Sequence, residues 1–435
     1  MTTASIPQQL AAPSSLHQDA RLIGLVGIAH MISHFSQLLL APLFPWLKVE
    51  FNASYAELGF LMTVFFVVSC AAQAIAGFVV DRIGPRPVMF GGLLLLGVAA
   101  FGFAASTSYA MLAGFSALAG LGNGVFHPVN YTLLNRKVSA ARLGHAYSLH
   151  GITGSLGWAL APAMLVPLTL AFSWRVALAC AGVLVFAVLL LLVANRGRLS
   201  LPVDVLIVNK PDAGPASGSS AAQQAASGSF DFLRIPAVWM CFAFFFFYAI
   251  VLGVVQAFAP EAARQLHAVP LTLVAICLTI YMLCSAGGML LGGFLVVNPA
   301  RCERIVAAGF GLAACVALLL ALGTYPAWVV PVLFGVMGFA SGIAGPSRDL
   351  LVKRSTPENA SGRVYGVVYA GLDIGQAVSP LVFGALMDRG EFQSVLLGLA
   401  IMQGVLIASA FNVRRVRRTA RMPATAGAAA AQGGS

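Results

Sequence analysis

Apolar positions along the chain gather into twelve long runs separated by short polar breaks. They lie near 22–46, 55–80, 87–105, 109–134, 143–170 and 174–195, then near 235–259, 269–297, 303–323, 327–350, 362–386 and 392–412. A helix needs about 20 residues, at 1.5 Å each, to cross ~30 Å of hydrocarbon. The pattern therefore predicts an all-α membrane protein with twelve transmembrane helices, called spans 1–12, because backbone in lipid must satisfy its own hydrogen bonds. The break after the sixth run differs in kind. Pro211-Asp212-Ala213-Gly214-Pro215 precedes an Ala/Ser/Gly/Gln stretch, Ala216–Ser229. Such composition buries no core and reads as a flexible linker. The expected organisation is an N-terminal tail (1–21), a six-helix bundle (22–195), a linker (196–234), a second six-helix bundle (235–412) and a basic tail (413–435).

An internal repeat supports the division. At an offset of 218 residues, Gly120, Gly124, Pro128 and Arg136 fall on Gly338, Gly342, Pro346 and Arg354. At the same offset Gly144, Tyr147, Gly157 and Pro162 fall on Gly362, Tyr365, Gly375 and Pro380. Spans 4 and 5 are thus counterparts of spans 10 and 11. Symmetry between halves marks secondary transporters, whose sites lie between the repeats near the bilayer midplane. The small residues Gly151, Gly154 and Gly157, and the Gly288-x-x-x-Gly292 pair, sit at spacings that let helices approach closely in lipid.

Composition excludes a soluble protein. Hydrophobic residues make up 59% and charged residues only 9%, against roughly 25% charged in a soluble domain. A net charge of +11 would suit nucleic acid. Its distribution argues otherwise: of 25 Lys/Arg, all but Lys48, Arg175, Arg264 and Arg389 fall on the side of the two termini. That is the positive-inside asymmetry, which puts both termini in the cytoplasm of a multi-pass inner (plasma) membrane protein. Arg414, Arg415, Arg417, Arg418 and Arg421 would meet anionic headgroups. Seven cysteines without a CxxC pair read as apolar packing residues.

The loop after span 2 reads Gly77-Phe-Val-Val-Asp81-Arg82-Ile-Gly84-Pro-Arg86. It resembles the signature loop G-x-x-x-D-R-x-G-R-R of the major facilitator superfamily, and the resemblance extends over roughly 22–412. Glycines permit the tight turn, and an acid at the membrane edge can cap a helix or pair with an arginine. The resemblance implies a conformational gate at Gly77, Asp81, Arg82, Gly84 and Arg86. Its counterpart after span 8, Gly293-Phe-Leu-Val-Val-Asn298-Pro-Ala-Arg301, lacks the acid. Span 5 carries Gly154-Ser-Leu-Gly157-Trp-Ala-Leu-Ala161-Pro162, similar to the family's antiporter motif with Ala161 in place of the last glycine. The matching positions are Gly154, Gly157 and Pro162. Ser116 or Leu118 stands where span 4 often bears an arginine. Within the superfamily the chain is most similar to fosmidomycin-resistance-type exporters. His30, Ala41-Pro42…Pro45, Val125-Phe126-His127-Pro128 and the glycine-rich span 5 carry that likeness, and Ser33-His34 replaces the group's Asn-Asp pair. The resemblance implies a transporter that exports a small organic solute or drug by alternating access, and a monomer is expected.

Polar groups inside the spans are the candidate chemistry. His30, His34, His127, His145 and His150 lie in or at spans of the first half. His30 and His34 are i, i+4 and share a helix face. His30 is nine residues from Arg21, His127 nine from Arg136, His150 eight from Arg142, and Asp373 ten from Arg363. All four then sit about 12–15 Å in from the basic anchors. His145 lies near the interface and is expected to snorkel. Asp373 is expected to be the sole carboxylate well inside a span. Histidines can simply hydrogen-bond helices together; a coplanar set with a carboxylate favours an ion or substrate path. Candidate substrate contacts are Gln37, Asn123, Tyr248, Gln256, Arg348, Tyr369 and Gln376, and Asp349 beside Arg348 reads as its pairing partner. The aromatic run Phe242–Phe247 is expected to be mostly lipid-facing bulk.

Together these readings predict proton-coupled export. Histidine exchanges protons between about pH 5 and 8, whereas one carboxylate is too few for a sodium site. Two alternatives stay open. One is an importer of organic anions. The other is a membrane-embedded histidine-metal enzyme, suggested by His30-x3-His34. No second His pair at ligand spacing and no HExxH is present, so no metal, no cofactor and no enzymatic activity are expected. The expected partners are a small-molecule substrate, protons and the lipid bilayer, not nucleic acid.

Overall fold

A computed structural model describes residues 15–201, 236–295, 302–355 and 361–409; side chains of 348–355 and 361–369 lie outside the description. The described residues are almost entirely helical, with no strand among them. Twelve helices are long and apolar enough to cross a membrane: Leu16–Glu50, Tyr55–Ile83, Pro85–Ala105, Tyr109–Lys137, Leu143–Ala171, Trp174–Ala194, Val238–Ala257, Leu271–Leu295, Cys302–Leu322, Val329–Ser347, Ala370–Asp388 and Phe392–Ser409. Their outer faces present Phe60, Val183, Leu290, Phe294 and Ile401 to the surroundings, which only lipid tolerates on this scale. The molecule is a multi-pass membrane protein. Successive spans alternate direction. Loops 1–2, 3–4, 5–6, 7–8, 9–10 and 11–12 therefore share one face, the odd-loop face, and the remaining loops share the even-loop face.

The start of span 1 differs most clearly from the sequence expectation. Span 1 begins at Leu16 because Ser15 closes a capping box: its hydroxyl accepts from Gln18 N at 3.3 Å while Gln18 Oε1 accepts from Ser15 N at 3.2 Å. Asp19 thus lies in the helix, buried, accepting from Arg142 Nε at 2.7 Å and Ser139 Oγ at 3.0 Å. Asp19 sits in the first turn, at the very end of the span, whereas Asp373 lies well inside span 11. Spans 1 and 4 are also interrupted. Pro42 and Pro45 lack the N–H that helix continuity needs, so Leu16–Gln37 passes through a 3-10 turn into Phe44–Glu50. Pro128 likewise cannot donate to Gly124, and span 4 breaks into Tyr109–Asn123 and Phe126–Lys137.

The repeated glycines do the same packing in both halves. A Cβ on Gly120 or Gly124 would overlap the carbonyl of Phe65 or Ser69 in span 2; on Gly338 or Gly342 it would overlap that of Tyr281 or Ser285 in span 8. Gly157 meets the Met31 carbonyl in span 1, and Gly375 meets the Phe246 carbonyl in span 7. Between halves, span 2 packs on span 11 and span 5 on span 8, which the six-span offset makes equivalent contacts. Gly59 lies against Pro380, and Thr63 Oγ1 donates to the Ala377 carbonyl at 2.6 Å. The aromatic run departs from expectation: Phe244 and Phe245 are fully buried, while Phe242, Phe246 and Phe247 are half-buried. Phe242 and Phe246 offer the backbone on which Gly371 and Gly375 rest.

Overpacking a filled interior costs about 1–3 kcal/mol or more. Gly124→Val and Gly342→Val are each expected to remove most folded protein, judged by size-exclusion elution of detergent extracts. Gly77→Ala and Gly114→Ala, where a Cβ meets nothing within 4 Å, are expected to elute as wild type. Equal recovery of all four variants would refute the glycine assignment.

Candidate functional site

The four span histidines form one cluster within the first half. His30 stacks on His150 with ring centroids 3.5 Å apart and tilts against His34 at 4.2 Å. His127 lies 5.6 Å from His30, 6.2 Å from His34 and 6.3 Å from His150. Three helices supply them: span 1 gives two from one face, span 4 gives His127 just beyond its break, and span 5 gives His150. The glycines of span 5 make the room. A Cβ at Gly154 would stand 2.8 Å from His34 Cε1 and 2.9 Å from His30 Cε1. Trp158 closes one side, 4.3 Å from His34. His30 Nδ1 donates to the His150 carbonyl at 2.8 Å, and Asn130 Nδ2 is 3.2 Å from His150 Nε2. His30, His34 and His150 are buried.

Asp373 does not touch a histidine. Gln73 of span 2 joins them: His127 Nδ1 donates to Gln73 Oε1 at 3.2 Å, and Gln73 Nε2 donates to Asp373 Oδ2 at 3.3 Å. The bridge crosses between the halves. Sequence reasoning missed Gln73, since a neutral amide two residues from exposed Ile75 carries no charge or periodic signal of its own.

The candidate contacts split into two groups. Gln37 and Asn123 belong to a network in the first half, where Asn123 Oδ1 accepts from Ser33 Oγ at 2.8 Å and Gln37 Nε2 at 3.3 Å. Asn123 Nδ2 donates to Ser69 Oγ at 2.9 Å, and Trp158 Nε1 donates to Gln37 Oε1 at 2.9 Å. Gln256 and Gln376 pair in the second half at 3.3 Å, leaving Gln256 Nε2, Gln376 Oε1 and Ser379 Oγ buried without partners. Tyr248 is half-buried with its ring 6.2 Å from Phe310 of span 9. The side chains of Arg348, Asp349 and Tyr369 lie outside the described residues, as do the linker from 202, the loop 296–301 and the tail from 410.

Gly84 turns the loop after span 2 at φ 85°, with its N–H bonded to the Val80 carbonyl. Asp81 and Arg82 are exposed and Arg86 is half-buried. Among the described residues Asp81 has no ion-pair partner. Gly157 and Pro162 are buried in span 5. His145 is exposed at the even-loop end, and His267 stands apart from the cluster, its Nε2 donating to the Leu320 carbonyl at 2.9 Å.

The odd-loop face is closed by residues that sequence reasoning also missed. Tyr55 N and Ala56 N donate to the two Asp388 oxygens at 2.6 and 2.8 Å, and Lys48 Nζ stands 3.8 Å away. Tyr55 OH donates to buried Glu261 at 3.1 Å. Glu261 in turn holds Arg264 at 2.6 Å, which raises the guanidinium above its ordinary range. One sign was readable. An acid ending a helix opposes that helix's own dipole and suits the start of another.

The model of the Major Facilitator Superfamily matches residues 26–347 and 326–432. The fosmidomycin resistance protein of Escherichia coli (strain K12) is 28% identical over 174 residues, 37% of this chain and 41% of that protein. The match thus spans about two fifths of that relative. A bacterial homologue of the human lysosomal transporter Spinster, solved in an inward-facing and unoccupied conformation, superposes with TM-score 0.72 at 14% identity, covering 93% of this chain and 98% of the other. The nucleoside transporter NupG, solved as a point mutant, gives 0.68 at 15%, covering 90% and 99%. These likenesses establish the shared fold. Twelve spans, a two-fold helix repeat and a family match over nearly the whole described chain lead to one conclusion: this protein belongs to the Major Facilitator Superfamily, a family of membrane transporters of small molecules and not of enzymes.

Proposed function

We propose that the protein exports small organic solutes in exchange for protons, by alternating access between bundles 22–195 and 235–412. The observation that carries this reading is the Gln73 bridge from the histidine cluster of one half to Asp373 of the other. Alternating access needs an ion whose binding favours one state over the other. A proton placed on Asp373 supplies that preference. The Gln73 amide donates to a charged acceptor while Asp373 is ionised; protonation leaves only a weaker, neutral acceptor and adds an O–H donor, which the amide can meet by turning its carbonyl toward it. Turning would offer His127 a donor in place of an acceptor, and the cluster would feel the change. The groups that face one another are His30 and His34 of span 1, His127 and Tyr131 of span 4, His150 of span 5 and Asp373 of span 11. The Escherichia coli relative's name supports a drug-like solute and the outward direction. The charge asymmetry supports an inner-membrane location with termini and linker cytoplasmic. On that orientation the odd-loop face, where Tyr55 and Ala56 of one half meet Asp388 of the other, is periplasmic. The protein acts as a monomer in the bilayer.

The test is flux in proteoliposomes carrying an imposed pH gradient, with a panel of small organic solutes. At least one solute should move against its gradient when the proton gradient is applied and stop when it is collapsed. No gradient-dependent flux across the panel would overturn proton coupling. For orientation, reporter fusions after Ser229 and after Ser435 should both report the cytoplasm. A periplasmic signal from either would reverse the assignment.

A further inference from the structure

We propose that His30, His34 and His127 form a binding site for a divalent transition-metal ion of borderline softness, such as Zn2+, Ni2+ or Co2+. One ring nitrogen from each can be chosen so that all three lie within 4.8 Å of one another. Nitrogens bonded to a tetrahedral ion at ~2.0–2.1 Å stand about 3.4 Å apart, so modest ring rotations complete the geometry. Sequence spacing concealed this site. Span 1 supplies only the i, i+4 pair, and the third ring arrives from span 4 through the fold.

Each ring keeps a nitrogen that its hydrogen bonds do not use. His30 gives its Nδ1 proton to the His150 carbonyl at 2.8 Å, which leaves Nε2 as the lone-pair nitrogen, buried without a hydrogen-bond partner. His127 gives Nδ1 to Gln73 Oε1 at 3.2 Å, which again leaves Nε2. Metal-ligating imidazoles are held in this manner, their second N–H spent on a carbonyl or carboxylate. His34 has both ring nitrogens buried and without partners. His30 does tie span 1 to the span 5 backbone through Nδ1, but that bond leaves its Nε2 buried and open beside His34, more than helix-to-helix bonding alone requires. A wholly imidazole donor set selects Zn2+, Ni2+ or Co2+ over Mg2+ and Ca2+. Three protein ligands leave a fourth position for water or a ligand of the ion, the mark of an exchangeable rather than a structural site. Asp373, one amide beyond His127, places a carboxylate near the added charge.

Metal binding goes beyond proton coupling and can fail separately from it, because the first is read at equilibrium without a gradient and the second as gradient-driven flux without added metal. The experiment is Co2+ titration of the purified full-length protein in detergent, followed by visible absorption and equilibrium dialysis, with Zn2+ as competitor. One Co2+ per chain is expected, displaced by Zn2+. His34→Asn and His127→Ala should each weaken binding at least ~10-fold, and Gln73→Ala should weaken it about 10-fold with an altered absorption spectrum, through loosened positioning of His127. His145→Ala and His267→Ala should bind as wild type. Size-exclusion elution identifies variants that remain folded, and His34→Asn is chosen over alanine because it preserves bulk. The proposal is overturned by the absence of saturable binding up to millimolar Co2+, or by wild-type affinity in folded His34→Asn and His127→Ala.

Discussion

Asp373→Asn is expected to abolish transport driven by a proton gradient while leaving substrate binding and substrate–substrate exchange measurable. Asparagine keeps the shape of the carboxyl but holds it neutral, so the position can no longer report whether a proton is present. The Gln73 amide, now 3.3 Å from Asp373 Oδ2, would keep a neutral acceptor in every state. Both conformations stay reachable and only their linkage to the gradient is lost, which is why exchange should survive. A ligand or ion moves an equilibrium only by its differential affinity for the two states. Removing the titrating group removes that difference, so uphill flux should fall at least ~100-fold, the effect of losing about 2.7 kcal/mol of coupling. His127→Ala is expected to act more mildly: it breaks the link to the cluster, leaves Asp373 in place and displaces the pH optimum. The measurement is solute uptake into proteoliposomes with and without an imposed gradient, alongside counterflow with no gradient. Uphill flux that survives Asp373→Asn with an unaltered pH profile would place coupling elsewhere.

How far the sequence carried depended on whether a feature was local or tertiary. The spans were legible because each is an uninterrupted apolar run. The two-fold repeat was legible because close helix approach accepts only glycine, so Gly120/Gly338 and Gly157/Gly375 mark the same contacts in both halves. The depth of the histidines was also readable, because counting from basic anchors measures height along a helix. Azimuth was less accessible. That His34 tilts onto His30 while His150 stacks on its other side depends on how spans 1 and 5 are rotated, which Gly154 and Gly157 fix through contact. Gln73 and Asp388 stayed hidden because their roles exist only in pairs, with partners some 300 residues away in sequence. The start of span 1 was misplaced because a hydropathy edge marks where lipid begins, whereas the Ser15–Gln18 capping box marks where the helix begins.

Asp388→Ala is expected to release the closed odd-loop face. Asp388 ends span 11 and accepts from the first two backbone N–H groups of span 2, at 2.6 and 2.8 Å. Those donors have no helical partner of their own and carry the positive end of the helix dipole. The carboxylate stabilises them only while the two halves touch at this face, so the interaction belongs to one conformation. Each hydrogen bond to a charged group is worth roughly 1.5–3 kcal/mol, and water recovers part of that when the face opens. A net loss of about 1.4–2.8 kcal/mol corresponds to a 10- to 100-fold shift toward the state open on the odd-loop side. Lys48, at 3.8 Å and partly exposed, adds little. Spin labels at Asn52 and Glu391, on opposite halves of this face, should report a short distance in the parent protein and a substantial longer population in Asp388→Ala. Glu50→Gln serves as control, because Glu50 pairs with Arg175 at 3.0 Å inside the first half and does not span the interface. Its distance distribution should match the parent. Unchanged distances in Asp388→Ala would mean that the packing of Gly59 on Pro380 and of Gly384 on Ala56 holds the face closed without the carboxylate.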